Sequence, residues 1–266
     1  KAGSAAICYT MGITQFSDGT SNVFSLSNLA ILTGNLGKKG AGVNPLRGQN
    51  NVQGSCDMGA LPNVIPAGAV NSAYAQEQAR KVWHFELNPV PGFKLTYAPD
   101  KMDSGELKVL YVYGENPVMS DPWTEHFVHA THHLDCFIVQ DLFFTESAQK
   151  ADVVLPAAGW GEKDGTFTNT SRRVQRTRKA SEPVGGVEPD WKVVCNIAKA
   201  MGLEGFDFLS AEEVWDELRK LMPKFFGGIS YYRLEKLGGI SWPCPDEDHP
   251  GTPDLYTDHK SMLPDG

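Results

Sequence analysis

The chain has 266 residues, 41% of them hydrophobic and 21% charged, with a formal net charge of −8. This is the balance of a globular protein, long enough for one large domain or two small ones. The negative charge argues against nucleic-acid binding through a general basic surface. No apolar run approaches the roughly 18 residues a membrane-spanning helix needs, so no membrane contact is expected from this segment. Cys8, Cys56, Cys136, Cys195 and Cys244 form no Cys-x-x-Cys pair. Their odd number and wide spacing exclude a disulfide framework and a self-contained zinc or iron–sulfur site. They read as free or buried thiols of a reducing compartment, which makes the cytoplasm the expected location. The chain opens at Lys1 without an initiator Met or a signal peptide, and stops in loop-like sequence at Gly266. Both ends are expected to be cuts in a longer protein.

Residues 5–10 form a short apolar run expected to be a buried strand. It leads into Met11-Gly-Ile-Thr-Gln15, and a strand ending in a Gly-containing turn is where open α/β sheets bind ligands. Thr20 is the expected N-cap of a helix whose Val23, Leu26, Leu29, Ala30 and Leu32 recur at helical spacing. Gly34 stands at its end.

Residues 44–62 have neither a helical nor a strand period. Side-chain amides crowd the stretch: Asn44, Gln49, Asn50, Asn51 and Gln53. Arg47 adds a planar fork of donors, and Gly48, Gly54 and Gly59 allow close backbone approach. Such a run suits a loop wrapped around a polar anion. It equally suits a polar loop that satisfies its own backbone.

Residues 71–83 read as a helix and Asn88-Pro-Val-Pro-Gly92 as a turn. Three strands are then expected, at 107–113, 137–141 and 151–155. The first is nearly continuously apolar, as central parallel strands are. A helix over 123–134 separates the first two, and a short helical stretch over 145–150 the last two. This β-α-β-α-β order implies a doubly wound parallel sheet. Each strand ends in a polar or Gly-rich turn, on the edge where such sheets take ligands. His126, His129 and His133 share a helix face. They read as a solvated face, with no metal ligand assigned. A helix opens at Glu188-Pro-Asp-Trp191 with Val193, Val194, Ile197 and Ala198 on its apolar side. Ser210-Ala-Glu-Glu213 is a capping box that opens another, stopped at Pro223.

Taken together, several stretches resemble the catalytic subunits of formate dehydrogenases, within the family of molybdopterin guanine dinucleotide oxidoreductases. They are Asn44 to Pro62, Met11-Gly-Ile-Thr-Gln15, Gly114-Glu-Asn-Pro117, Gln140-Asp141, Leu155-Pro156, and Trp242-Pro-Cys-Pro245. A further carrier is the pattern set by Trp160, Glu162, Gly165, Asn169, Arg172, Arg173 and Gln175. The resemblance runs through nearly all of this chain and covers the middle of the family's subunit. It implies an α/β fold of doubly wound, mostly parallel sheets with flanking helices, inside a larger multidomain subunit. Residues 1–49 would end one α/β subdomain. Residues 50–161 would form a Rossmann-like subdomain that binds a pterin guanine dinucleotide, and 162–266 a helical and irregular connecting region.

By the same resemblance Arg47 holds the substrate carboxylate over the metal, in a charge-assisted contact, and Gln49 sits against the pterin. Met11 and Gln15 contact the second pterin. Gly114, Asn116, Ser120, Gln140, Asp141 and Lys163 contact cofactor. Asp141 can accept two hydrogen bonds from a guanine edge, or cap a helix. Asp190 is either a first-turn acid facing the helix dipole or a ligand of the pterin system. Arg172 and Arg173 suit pyrophosphate, or pair with carboxylates between subdomains.

The implied reaction oxidises formate to CO2 on a bis-molybdopterin guanine dinucleotide carrying molybdenum or tungsten. Electrons would pass to iron–sulfur centres and to electron-transfer subunits or iron–sulfur proteins. The family's Cys cluster for a [4Fe–4S] centre, its metal-ligating Cys or selenocysteine before a His, and its C-terminal barrel find no match in these residues. The cluster is expected in the missing N-terminal part, and this segment alone is expected to be inactive. A nitrate reductase-like relative, or a non-catalytic pterin-nucleotide module, are the alternatives.

Overall fold

The computed structural model describes residues 2–259. Strand β1 (Ala6–Tyr9) leads through one helical turn, α1 (Met11–Thr14), into helix α2 (Gly19–Leu32). α2 starts behind Asp18 rather than at Thr20, and no side chain caps it. The Asn22 amide holds its first turn instead, donating to Ile13 O at 3.1 Å. β2 (Gly42–Pro45) pairs parallel with β1. Pro45, with no N–H to give the ladder, is its last residue. α3 (Val52–Asp57) follows.

β3 (Val64–Ile65) and β4 (Gly68–Ala69) form a small antiparallel hairpin. α4 (Ala73–Trp83) is capped by Ser72, whose hydroxyl accepts from Ala75 N at 3.1 Å. α5 (Ala98–Asp103) has Pro99 in its first turn, where the missing N–H costs nothing. Then come β5 (Val109–Tyr113), the short α6 (Pro117–Ser120) and α7 (Thr124–Ala130). The helix expected over 123–134 is α-helical only to Ala130. It tightens into a 3-10 turn over Thr131–His133, where the Thr131 hydroxyl bonds Val128 O at 2.7 Å.

β6 (Cys136–Asp141) and β7 (Val153–Pro156) flank another 3-10 turn, Ala148–Lys150, in place of the expected helical stretch. β8 (Gly165–Thr168) and β9 (Arg173–Thr177) precede α8 (Asp190–Ala200). α8 buries Cys195 and Ala198, while Val194 stays exposed. α9 (Ala211–Leu221), α10 (Pro223–Phe226), α11 (Tyr231–Leu237) and β10 (Ile240–Ser241) complete the order.

The chain forms two compact units. One comprises Lys1–Met58, Thr166–Arg176 and Leu218–Gly266, the other Gly59–Gly165 and Thr177–Glu217. Both are discontinuous in sequence.

The second unit holds the parallel sheet, in order β5-β6-β7. Val109 lies opposite Cys136, Tyr113 opposite Gln140, and Asp141 opposite Pro156. The architecture is mixed α/β with parallel sheets and helices, as the strand and helix order implies. Leu110, Val112, Phe137 and Val139 share one sheet face by the two-residue alternation. Val112, Phe137 and Val139 pack with Ala148, and Leu110 also joins Met102, Val118 and Phe127 from α5, α6 and α7. Burying a side chain of this size contributes about 1.5–3 kcal/mol. The opposite face differs from the expected apolar run. It carries Tyr111, Tyr113 and the fully buried Gln140.

The first unit holds the parallel pair β1-β2 and an antiparallel sheet β10-β9-β8. Phe225 and Phe226 meet the Trp242 ring edge-on, and the Arg176 guanidinium stacks 3.6 Å over Tyr231.

Candidate functional site

In the first unit the site is built on β2, the loop after it, and α3. Leu46 N bonds Tyr9 O at 2.8 Å, so the parallel pair positions the loop that starts there. Arg47 follows and lies exposed. Its Nε and Nη2 both donate to Gln53 Oε1, at 3.3 and 3.1 Å. Gln53 Nε2 donates to Asp57 Oδ1 at 2.8 Å, one turn further along α3. The other carboxylate oxygen, Oδ2, accepts from Trp242 Nε1 at 3.0 Å. Burial pushes Asp57 up to about 6. The hydrogen bonds from Gln53 and Trp242 and the charges of Arg47 and Arg172 pull the other way.

The loop is held by Asn51, in the left-handed region at φ 60°. Its Oδ1 accepts from Thr168 N at 2.9 Å. A Cβ on Gly54 would sit 2.1 Å from that oxygen and would displace the Asn51 amide. Gln49 is exposed, and its amide takes no partner among the described residues. Gln15 Nε2 meets the Met11 sulfur at 3.2 Å, and Met11 is exposed rather than in the core. Among the described residues, neither Arg172 nor Arg173 forms an ion pair with a carboxylate. Arg172 donates to Trp242 O and to Pro253 O, and Arg173 to Gly238 O at 3.1 Å.

In the second unit the structure gathers five of the seven singled-out residues at the C-terminal edge of the sheet. Gly114 directly follows β5, and its N–H bonds Gln140 O at 2.9 Å. It has φ +63°, and nothing lies within 4 Å of where a Cβ would be. The backbone there is open to close approach. Gln140 and Asp141 end β6. Gln140 accepts from the Tyr111 hydroxyl and donates to Asp190 Oδ1 at 2.9 Å. Asp190 pairs through Oδ2 with the Lys163 ammonium, which also reaches Ala158 O at 3.1 Å. Burial pulls Lys163 below the ordinary lysine value, with Glu162 opposing. Of its three N–H donors, one remains for an outside acceptor.

Asp141 Oδ1 accepts from Phe143 N at 3.2 Å in a tight turn. Oδ2 takes no partner among the described residues. Asn116 and Ser120 lie outside this cluster. Asn116 is spent within the fold: Oδ1 accepts from Ser147 N and Oγ at 3.1 and 2.7 Å, and Nδ2 donates to Glu146 at 2.8 Å. Ser120 Oγ bonds Glu115 at 3.3 Å.

The histidine face meets an acid from α5. His126 Nε2 lies 2.7 Å from Asp103 Oδ2, and His133 Nδ1 lies 3.6 Å from Oδ1. Asp103, His129 and His133 offer three ligand atoms within 4.8 Å of one another, and all three are exposed. The hydrogen bond from His126 holds the Asp103 carboxyl below its ordinary range.

The sequence reading missed Asp57 and Tyr111. The signal for Asp57 was its spacing of four from Gln53 on one helix. Tyr111 reads as ordinary β-propensity and gives no signal.

The family model described as molybdopterin oxidoreductase matches residues 1–200. F420-dependent formate dehydrogenase 1 subunit alpha of Methanococcus maripaludis is 50% identical over 269 residues, covering 100% of this chain and 39% of its own length. Formate dehydrogenase H of Escherichia coli is 44% identical over 248 residues, covering 92% of this chain and 34% of its own length. Among solved structures, acetylene hydratase from Pelobacter acetylenicus superposes with a TM-score of 0.50. It is 17% identical and covers 70% of this chain and 27% of that one, a likeness of fold. The chain thus spans between about a quarter and two fifths of the length of the curated relatives it matches. With the family model matched over three quarters of its residues, the chain belongs to the molybdopterin oxidoreductase family.

Proposed function

We propose that this chain is the central part of a formate dehydrogenase, and that Arg47 holds the formate carboxylate. The carrying observation is the arrangement of the Arg47 guanidinium. Two of its five N–H groups are engaged by Gln53. The Nη1–Nη2 edge, with two parallel donors, faces no acceptor among the described residues and suits a carboxylate. Relatives named formate dehydrogenase, half identical across the whole chain, support this substrate.

The residues present fit a pterin guanine dinucleotide in part. Gly114 leaves room for backbone contact, Asp141 Oδ2 is available to a guanine edge, Lys163 retains one N–H for a phosphate, and Gln49 is available to a pterin. Met11 and Gln15 belong with the second pterin, and Asp190 acts through Lys163 and Gln140. Gly114, Gln140, Asp141 and Lys163 form the nucleotide edge. Asn116 and Ser120 shape the turn after β5. In this reading residues 1–49 carry the substrate loop, 50–161 the nucleotide subdomain and 162–266 the connecting region.

A bis-molybdopterin guanine dinucleotide with molybdenum or tungsten, when bound, takes up the two electrons of formate oxidation. Formate gives CO2, a proton and those two electrons as its C–H bond breaks; of the chain's own residues, Arg47 would neutralise the carboxylate and fix the direction of that bond. The protein positions and polarises while the cofactor supplies the chemistry. A [4Fe–4S] centre outside these residues and electron-transfer subunits or iron–sulfur proteins would receive the electrons. The five free thiols fit a cytoplasmic setting.

The test is steady-state formate oxidation by the full-length enzyme, wild type against Arg47→Lys and Arg47→Ala, at matched metal and pterin content. An ammonium keeps the charge and loses the fork. Losing one charge-assisted hydrogen bond costs about 1.5–3 kcal/mol, so kcat/KM for Arg47→Lys falls about tenfold to a hundredfold, and further for Arg47→Ala. Unchanged kcat/KM in Arg47→Ala would remove Arg47 from the substrate site.

A further inference from the structure

The relay behind Arg47 has a direction, and the direction comes from the chemistry of its ends. A guanidinium has donors only. An ionised carboxylate has acceptors only. An amide between them has one end of each kind and can satisfy both neighbours in a single orientation. Gln53 takes that orientation: Oε1 faces Arg47 at 3.1 and 3.3 Å, and Nε2 faces Asp57 at 2.8 Å. The indole N–H of Trp242, another pure donor, occupies the second oxygen of Asp57 at 3.0 Å. Asp57 is therefore held as a double acceptor.

From this geometry we infer that Asp57 is a positioning residue for the substrate-binding Arg47, acting through Gln53. The carboxylate dictates which way the Gln53 amide faces. The Gln53 carbonyl in turn grips Nε and Nη2, fixes the guanidinium plane, and leaves the Nη1–Nη2 edge to receive a carboxylate. The inference rests on the reading of Arg47 as the formate ligand.

The substitution Asp57→Asn keeps the shape and breaks the logic. If the Asn carbonyl faces Gln53, its NH2 meets the Trp242 N–H, donor against donor. If its NH2 faces Gln53, that amide must flip and present its own NH2 to Arg47. Either way the grip on the guanidinium is lost, or a buried donor goes unpaired. Gln53→Met removes the relay at its middle with little change in volume.

Protonation acts as a natural version of the same change. The groups facing Asp57 are Gln53, Trp242, Arg47 and Arg172. Gln53 and Trp242 carry no ionisable group, and Asp57 is the carboxyl among these groups. Its value of about 6 places the loss of the second acceptor on the acid side of neutrality.

The test is a double-mutant cycle in the full-length holoenzyme, with pterin and metal content and melting temperature measured for every variant. The expected result is that Asp57→Asn raises KM for formate about tenfold in the Arg47 enzyme, and less than about twofold in the Arg47→Lys background, because there is no fork left to position. Gln53→Met should repeat this pattern, and it carries the test if Asp57→Asn fails to fold. The wild-type kcat/KM should fall as pH drops through about 6, and this fall should be absent in Asp57→Asn. An equal fold-loss in both backgrounds would make Asp57 a structural residue and overturn the inference, as would an unchanged KM in the Arg47 enzyme while Arg47→Lys is impaired. An Arg47→Lys enzyme with wild-type kcat/KM would overturn the underlying reading of Arg47, and the inference with it.

Discussion

Asp57 carries opposite consequences for stability and for positioning. Its carboxyl moves from an ordinary 3.8 to about 6 because burial penalises the charge. The folded chain therefore holds this proton more tightly than the unfolded chain does. The stabilising contribution is complete below about pH 3.8 and is lost as pH rises through about 6. Ionised, the group costs about 3 kcal/mol relative to its protonated form. Denaturant unfolding of wild type and Asp57→Asn between pH 4 and 8 checks this. The stability of wild type relative to the variant should fall between pH 4 and 7 and level off above. A difference that is flat with pH would mean Asp57 titrates normally.

Lys163 and Asp190 give a second test at this scale. Asp190 is almost fully buried, while Lys163 keeps about a quarter of its side chain exposed. Asp190→Ala leaves the Gln140 amide and the ammonium without their acceptor, and should cost about 2–4 kcal/mol in the same unfolding measurement, discounted for the exposure of Lys163. In the sequence Lys163, Gln140 and Asp190 are separate candidates, 23 to 50 positions apart. That they meet depends on how α8 returns to the sheet, and no local pattern encodes it. Asn116 shows the reverse case. Its motif was legible, but its amide is bonded to Ser147 and Glu146, a pairing across some thirty residues that a motif does not reveal.

At the scale of elements, periodicity carried most of the reading. The strands of the parallel sheet lie within two residues of their expected limits, because runs such as Val109 to Tyr113 have strong β-propensity and turn residues at each end. Helix ends were less legible. α7 stops at Ala130 because the chain must turn into β6, and no Gly or Pro marks the place. The cap of α9 was legible but differs in detail. Ser210 Oγ accepts from Glu213 N at 3.2 Å, while the Glu213 carboxylate reaches Leu209 N rather than Ser210 N. Ser210→Ala should cost about 1 kcal/mol. Phe127 is fully buried between α7 and its neighbours, and Phe127→Ala should cost about 3–5 kcal/mol through the cavity it leaves. Val109, half exposed at the start of β5, should lose less than about 1 kcal/mol as Val109→Ala. Chemical denaturation of the three variants checks the order; a Phe127→Ala cost no larger than that of Val109→Ala would contradict the assigned core.

At the scale of the whole molecule, each compact unit carries its own set of candidate residues. Met11, Gln15, Arg47 and Gln49 belong to one, and Gly114, Gln140, Asp141, Lys163 and Asp190 to the other. Family membership was legible because long polar motifs with fixed Gly positions have few other uses. The compact units were not legible, since each is assembled from segments far apart in the chain. No helix among the described residues is long and apolar enough to cross a membrane. The chain spans about two fifths of the length of the relatives most similar to it, so the proposed activity is tested in the full-length protein. The direct measurement of the central claim is dye reduction by that protein with formate as the only reductant, alongside dye oxidation with nitrate, with bound metal and pterin quantified. The account predicts saturable, formate-dependent reduction proportional to metal content, and no turnover of nitrate. Full metal and pterin loading with no formate-dependent reduction would contradict it.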